Sequence, residues 1–215
     1  DSLMKHMIEE GFLSDHQHGF VRGRSCTTQL VHVVDKIMEI LDEGGAVDTI
    51  YLDFAKAFDS VPHRRLLLKL SSYGVGGSLL DWVESFLTDR RQKVTIGGAF
   101  SGWMDVRSGV PQGSVLGPIL FVCYINDMPE TVKSFVHMYA DDTKMWRKVE
   151  SALDARELQS DLDKLVEWSE KWQMAFNISK CKVMHLGRTN AKEPYIMEDK
   201  GGSKTLKLLD TEEER

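Results

Sequence analysis

Two adjacent aspartates, Asp141 and Asp142, follow Tyr139-Ala140 between two short β-prone runs, Phe135 to Tyr139 and Thr143 to Trp146. Aspartate is a good turn former, so the pair is expected at a hairpin tip, at the edge of a sheet. Neighbouring carboxylates repel each other at neutral pH unless a cation or a shared proton offsets the charge. A pair facing a cleft therefore calls for a divalent metal, whereas a pair on an open turn needs nothing. A third acid, Asp53, ends the β-rich run Val47 to Phe54. If the two strands are neighbours in one sheet, the three carboxylates converge. Such a group can hold two divalent cations roughly 4 Å apart, which activates an attacking hydroxyl and stabilises the leaving oxygen in phosphoryl or nucleotidyl transfer. Oxygen-only ligands together with substrate phosphates suit magnesium, with manganese able to take its place.

Two loops could serve the same chemistry. Gln17 to Ser25, QHGFVRGRS, carries two glycines and two arginines, Arg22 and Arg24. Glycine allows close backbone approach and arginine can fork onto phosphate, although a solvated loop has the same composition. Ser108 to Ser114, SGVPQGS, opens an apolar helix from Val115 to about Ile125. A glycine-bearing loop at a helix N-terminus can receive an anion, and it can equally be a structural cap.

The elements that must position these residues follow from periodicity. Residues 1 to 10, Thr28 to Glu43, Pro62 to Ser72, Ser78 to Leu87 and Leu153 to Trp172 place apolar residues at helical spacing. Lys93 to Ile96 and Trp103 to Val106 suggest a small hairpin around Gly97-Gly98, and Cys181 to Leu186 a final strand. This order suits an α+β fold, an antiparallel sheet with helices on one face and the acids exposed on the other.

The chain has 215 residues, enough for a sizeable core, and no apolar run of roughly 20 residues that would span a bilayer. No targeting signal is visible, so an intracellular protein, nuclear or cytoplasmic, without membrane partners is expected. Cys26, Cys123 and Cys181 are far apart and the histidines scattered, which argues against a disulfide framework or a zinc site. The net charge of −6 counts against a nucleic-acid partner, yet it is unevenly spread. Residues 193 to 215 hold seven acids and four bases, whereas residues 64 to 110 hold seven bases and four acids, so an acidic total can coexist with a basic patch.

QHGFVRGRS, YLDFAKAFDSVPH, SGVPQGSVLGPILFVCYINDMP, YADD and NISK occur in one order and at one set of spacings. Over about residues 10 to 188 the chain resembles the reverse transcriptases of non-LTR retrotransposons of the jockey and related types. The resemblance implies a right-hand polymerase, with residues 1–45 as partial fingers, 46–190 as the palm, and 191–215 as a flexible segment leading toward an absent thumb. It implies an RNA template, a DNA primer and dNTPs as substrates, and further fingers, thumb and endonuclease portions in the parent polyprotein. Asp53, Asp141 and Asp142 match the metal ligands, and Lys180 the lysine that neutralises or protonates the leaving pyrophosphate. Phe58 matches the aromatic gate that crowds a ribose 2′-hydroxyl; Phe54, Gln112 and Gly113 fall at nucleotide-contacting positions. Arg22 and Arg24 are placed to face nucleic acid. Two other readings stay open, a catalytically inactive binding remnant of such a polymerase and a different metal-dependent phosphotransferase.

Overall fold

The computed structural model describes residues 2–199 and 202–208. In chain order the first elements are α1 (Ser2–Glu9), α2 (Cys26–Asp42), β1 (Val47–Leu52), α3 (Ala57–Ser60), α4 (His63–Ser72) and α5 (Gly77–Leu87). Four two-residue strands follow, β2 (Arg91–Gln92), β3 (Thr95–Ile96), β4 (Ala99–Phe100) and β5 (Met104–Asp105), then α6 (Leu116–Ile125) and a 3-10 turn at Pro129–Thr131. The rest is β6 (Phe135–Tyr139), β7 (Asp142–Lys148), α7 (Ala152–Trp172), β8 (Lys182–Leu186), β9 (Ile196–Asp199), β10 (Gly202–Thr205) and β11 (Lys207–Leu208). No helix among the described residues is long and apolar enough to cross a membrane.

These elements form two compact units: a sheet unit of residues 14–55 and 126 onward, and a helical unit of residues 1–13 and 56–125. The chain visits each unit twice, so the linear division expected at residues 45 and 190 does not describe it. Backbone pairing is the reason. Met138 N donates to His16 O and His18 N donates to Met138 O, both at 2.8 Å, and this fastens the 14–24 loop to β6.

In the sheet unit the strand order is β11-β8-β1-β7-β6, antiparallel except for the β11–β8 pair. Central β1 is buried along almost its whole length, which is why VDTIYL lacks the alternation of a half-exposed strand. Register places Val47, Thr49 and Tyr51 on one face with Trp146 and Asp142, and Asp48, Ile50 and Leu52 on the other. Helix α2 packs Val33 and Ile37 against Val47 and Trp146 on the first face. Helix α7 serves the second, where Glu157 pairs with Arg147, the register partner of Asp48. The antiparallel sheet with packed helices is the expected α+β arrangement, and α2 in addition covers the far end of the face that carries Asp142. Both helices start at capping boxes, Ser25 with Thr28 and Ser151 with Asp154, which satisfy otherwise orphaned N–H groups.

Residues 196–199 and 202–208 also depart from the expected flexible segment. β9 and β10 pair antiparallel and β11 runs beside β8. The cause is a buried anchor, because the Tyr195 hydroxyl donates to Asp48 Oδ2 at 2.5 Å while His185 and Asn190 bind Oδ1 of the same carboxylate. The remainder of the expected segment, residues 200, 201 and 209–215, lies outside the described residues.

The helical unit packs α4, α5 and the wholly apolar α6 through Leu66, Leu70, Val83, Leu87, Leu120 and Phe121, all fully buried. Buried Lys69 donates to Tyr124 O at 2.6 Å, at the end of α6. The small hairpin is built differently from the expectation. β3 pairs with β4 across Gly97-Gly98, and β2, not the 93–96 segment, pairs with β5.

Candidate active site

Asp53 and Asp142 are brought together by strand register. β1 and β7 are antiparallel neighbours, and their last pair is Leu52 with Thr143, so the next step along the ladder places Asp53 beside Asp142. Beyond Leu52 the chain turns to a new partner: Asp53 O accepts from Asn177 N at 2.7 Å, and Ala55 N donates to Ala175 O at 2.8 Å. Buried Cys181 lies behind this point, its Sγ receiving Asp53 N–H at 3.5 Å. Burial pushes its thiol up to about 11, so it stays protonated.

Asp141 sits in the two-residue turn Ala140-Asp141, which joins the paired residues Tyr139 and Asp142. Burial raises its carboxyl above the ordinary value. Its own backbone hydrogen bond lowers it, the charges of Asp142 and Asp53 raise it, and Lys180 lowers it. These interactions put all four charged groups at one sheet end. Lys180, mostly exposed in the Asn177–Cys181 turn, holds Nζ 3.6 Å from Asp53 Oδ2. That oxygen is buried and accepts no hydrogen bond. Among the described residues no three His, Cys, Asp or Glu side chains form a finished metal cage.

Sequence reasoning missed the residue that shapes the turn. Ala140 has φ 56°, a left-handed conformation that costs a residue with a Cβ about 1 kcal/mol or more. Gln17, fully buried, supports it by accepting from Ala140 N at 3.0 Å and Gly19 N at 2.7 Å. Gly19 is required there, since a Cβ would stand 2.2 Å from Ala140 N. The Gln-x-Gly spacing in QHGF was the available signal.

Two expected site residues are corrected. Phe54 is 4% exposed, stacked on Phe176 with ring centroids 4.6 Å apart and tilted against Trp168, so it is core rather than nucleotide-contacting. Its position one residue past an active-site acid alternates it inward. Arg24 does not face outward to nucleic acid: its guanidinium donates to Ser14 O, Asp15 O and Gln17 O and pairs with Asp15 at 2.8 Å, closing the loop that carries Gln17. Arg22 is exposed.

The helical unit carries the remaining candidates. Phe58 is half-buried and stacked on Phe121 at 4.4 Å. Its carbonyl accepts from Val110 N and that of Val61 from Gly109 N, both at 2.8 Å, so the SGVPQGS loop is laced to the segment bearing Phe58. Gly109 has φ 89° and a Cβ there would lie 2.7 Å from the Asp59 backbone. Gln112 is exposed and donates to Asp59 Oδ1 at 3.1 Å, next to exposed Gly113.

Residues 1–210 match the family described as reverse transcriptase (RNA-dependent DNA polymerase). The chain is 34% identical over 185 residues to the RNA-directed DNA polymerase from mobile element jockey of Drosophila melanogaster, covering 81% of this chain and 20% of that protein. The Drosophila funebris counterpart is 34% identical over 174 residues, with coverage of 77% and 19%. The chain thus spans about a fifth of the length of these relatives. In fold it is similar to telomerase from Candida tropicalis, solved with the TWJ fragment of telomeric RNA. The TM-score is 0.66 at 10% identity, over 89% of this chain and 34% of that one.

Proposed function

Because the chain belongs to the reverse transcriptase (RNA-dependent DNA polymerase) family, we propose that it is the portion of such a polymerase that adds dNTPs to a primer 3′-hydroxyl on an RNA template. One observation carries this reading: the Asp53 oxygen that is buried without a hydrogen bond, at the sheet end it shares with Asp142. The Lys180 ammonium stands 3.6 Å away, beyond hydrogen-bond distance, and a cation bound directly to this buried oxygen would remove the cost of leaving it without a hydrogen bond. Asp53, Asp141 and Asp142 would hold two divalent ions, magnesium or manganese, which supply activation of the primer hydroxyl and stabilisation of the leaving oxygen.

The chain's own groups do the rest. Asp141 and Asp142 keep negative charge at the sheet end, where it would attract the divalent ions. Lys180, exposed and 3.6 Å from Asp53, brings positive charge to offset or protonate the leaving pyrophosphate. Phe58 crowds a ribose 2′-hydroxyl, Gln112 and Gly113 line the nucleotide and template, and Arg22 offers its guanidinium to phosphate. Primer extension on an RNA template tests the reading. DNA synthesis should occur with dNTPs and magnesium and stop with chelator; synthesis insensitive to chelator, or none with magnesium or manganese, would reject it.

A further inference from the structure

The 91–105 hairpin is exposed along its whole length. Its side chains are not those of an ordinary solvated turn. Phe100 and Trp103 are 64% and 55% exposed, beside Val94, Ile96 and Met104. Cations gather on the two rings: Lys93 Nζ lies 4.2 Å from the Phe100 centroid and 4.9 Å from that of Trp103, and the Arg91 guanidinium lies 5.7 Å from Trp103. Trp103 and Arg91 also line a groove of roughly 1630 Å³ that extends to Gln112. Its charged lining is Lys56, Arg90, Arg91 and Arg107 against Asp59 and Asp105. A groove with a basic excess on a chain of net charge −6 is where a polyanion is attracted.

We propose that the Phe100–Trp103 hairpin and the basic groove beneath it bind single-stranded nucleic acid, with bases stacking on the two rings and phosphates pairing with Arg91, Lys93 and Arg107. Exposed aromatics beside cations are the chemistry of sequence-tolerant strand binding, since every base offers a π-face and every linkage a charge. A protein partner fits less well. The centre of a protein interface is depleted of charge, and burying the Lys93 ammonium on its rings would cost desolvation while the groove's two acids are already engaged, Asp105 with Arg91 at 3.7 Å and Asp59 with Gln112. The inference deepens the polymerase reading by naming where the unpaired template strand is gripped, and it rests on that reading only for the identity of the strand.

The test is fluorescence anisotropy of labelled 12-mers of oligo(rU) and oligo(dT) with the chain, in chelator, so that metal-dependent catalysis plays no part. Both oligonucleotides should bind, because stacking is indifferent to the sugar. The double variant Phe100→Ala/Trp103→Ala should bind at least about tenfold more weakly at fixed salt, by loss of base stacking. Lys93→Gln should lower the slope of log K against log salt by about 0.7, as expected for one phosphate contact on a single strand. All three side chains are exposed, and unchanged thermal melting shows that the variants are folded. No binding by the wild-type chain, or binding by the double variant within twofold of wild type, would overturn the proposal; the latter is also the result if the hairpin docks a protein. Failure of primer extension with these binding results intact would reject the polymerase reading and leave the strand site standing.

Discussion

The side-chain oxygen of Gln17 accepts the backbone N–H of Ala140 at 3.0 Å, and so a residue 123 positions earlier in the chain holds the turn that presents Asp141. Gln17→Leu keeps the volume and removes the acceptor, leaving the N–H groups of Ala140 and Gly19 buried without a partner. A loss of about 1–3 kcal/mol in urea-derived stability is expected. Because the left-handed turn is then unsupported, the maximal rate of extension should fall by more than primer-template affinity does. A variant with wild-type rate and wild-type stability would deny Gln17 this positioning role.

Tyr195 and Asp48 predict a second loss of stability. Tyr195→Phe removes one hydrogen bond to a buried carboxylate, for about 1.5–3 kcal/mol. Asp48→Ala should cost more, since it strands His185, Asn190 and Tyr195 together. Equal denaturation midpoints for wild type and Tyr195→Phe would show that β9, β10 and β11 do not depend on this anchor.

That VDTIYL is a core strand delivering an acid to its end was legible from residue types, whereas its adjacency to the strand that starts at Asp142 was only a condition in the sequence and comes from the antiparallel register of β1 and β7. The support for Ala140 was not legible. Its turn conformation depends on a hydrogen bond from a distant loop, and no local propensity records such a bond. The same holds for β9, β10 and β11, which follow Tyr195, the residue whose hydroxyl reaches the buried Asp48 carboxylate. Arg24 and Phe54 were misjudged for a related reason. An arginine in a glycine loop and an aromatic beside a catalytic acid have two uses each, and only packing tells which applies.

Acid sensitivity should come from His137. Its ring lies among those of His16, His18 and His32, at centroid distances of 6.3, 6.2 and 5.7 Å. Burial first, then His16, His32, His18 and Lys144, lower its pKa from 6.5 to about 4. The folded state thus favours the neutral ring. Its stabilising contribution is full above the unfolded pKa of 6.5 and is lost as the pH falls toward about 4. The urea midpoint should drop between pH 7 and pH 5, and His137→Gln should flatten that drop. An unchanged pH profile in the variant would contradict the assignment.

Phe58→Val should admit ribonucleotides. One pocket contact discriminates by roughly 10 to 200-fold, so the ratio of dNTP to NTP incorporation should fall within that range while dNTP use falls less. Loss of the stack on Phe121 should lower stability as well. Equal losses for both nucleotides with an unchanged ratio would leave Phe58 a core residue only.

The account stands on Asp53, Asp141 and Asp142 acting as one charged group at the end of β1 and β7. The direct measurement is the rate of magnesium-dependent extension by Asp53→Asn, Asp141→Asn and Asp142→Asn, singly and combined. Each single change should lower the rate on the order of 10² or more, as removal of one electrostatic stabiliser does. The triple variant should be scarcely worse than the weakest single variant, because groups that act together do not lose activity additively. Near wild-type extension by any single variant, or losses that multiply independently in the triple variant, would contradict the shared site.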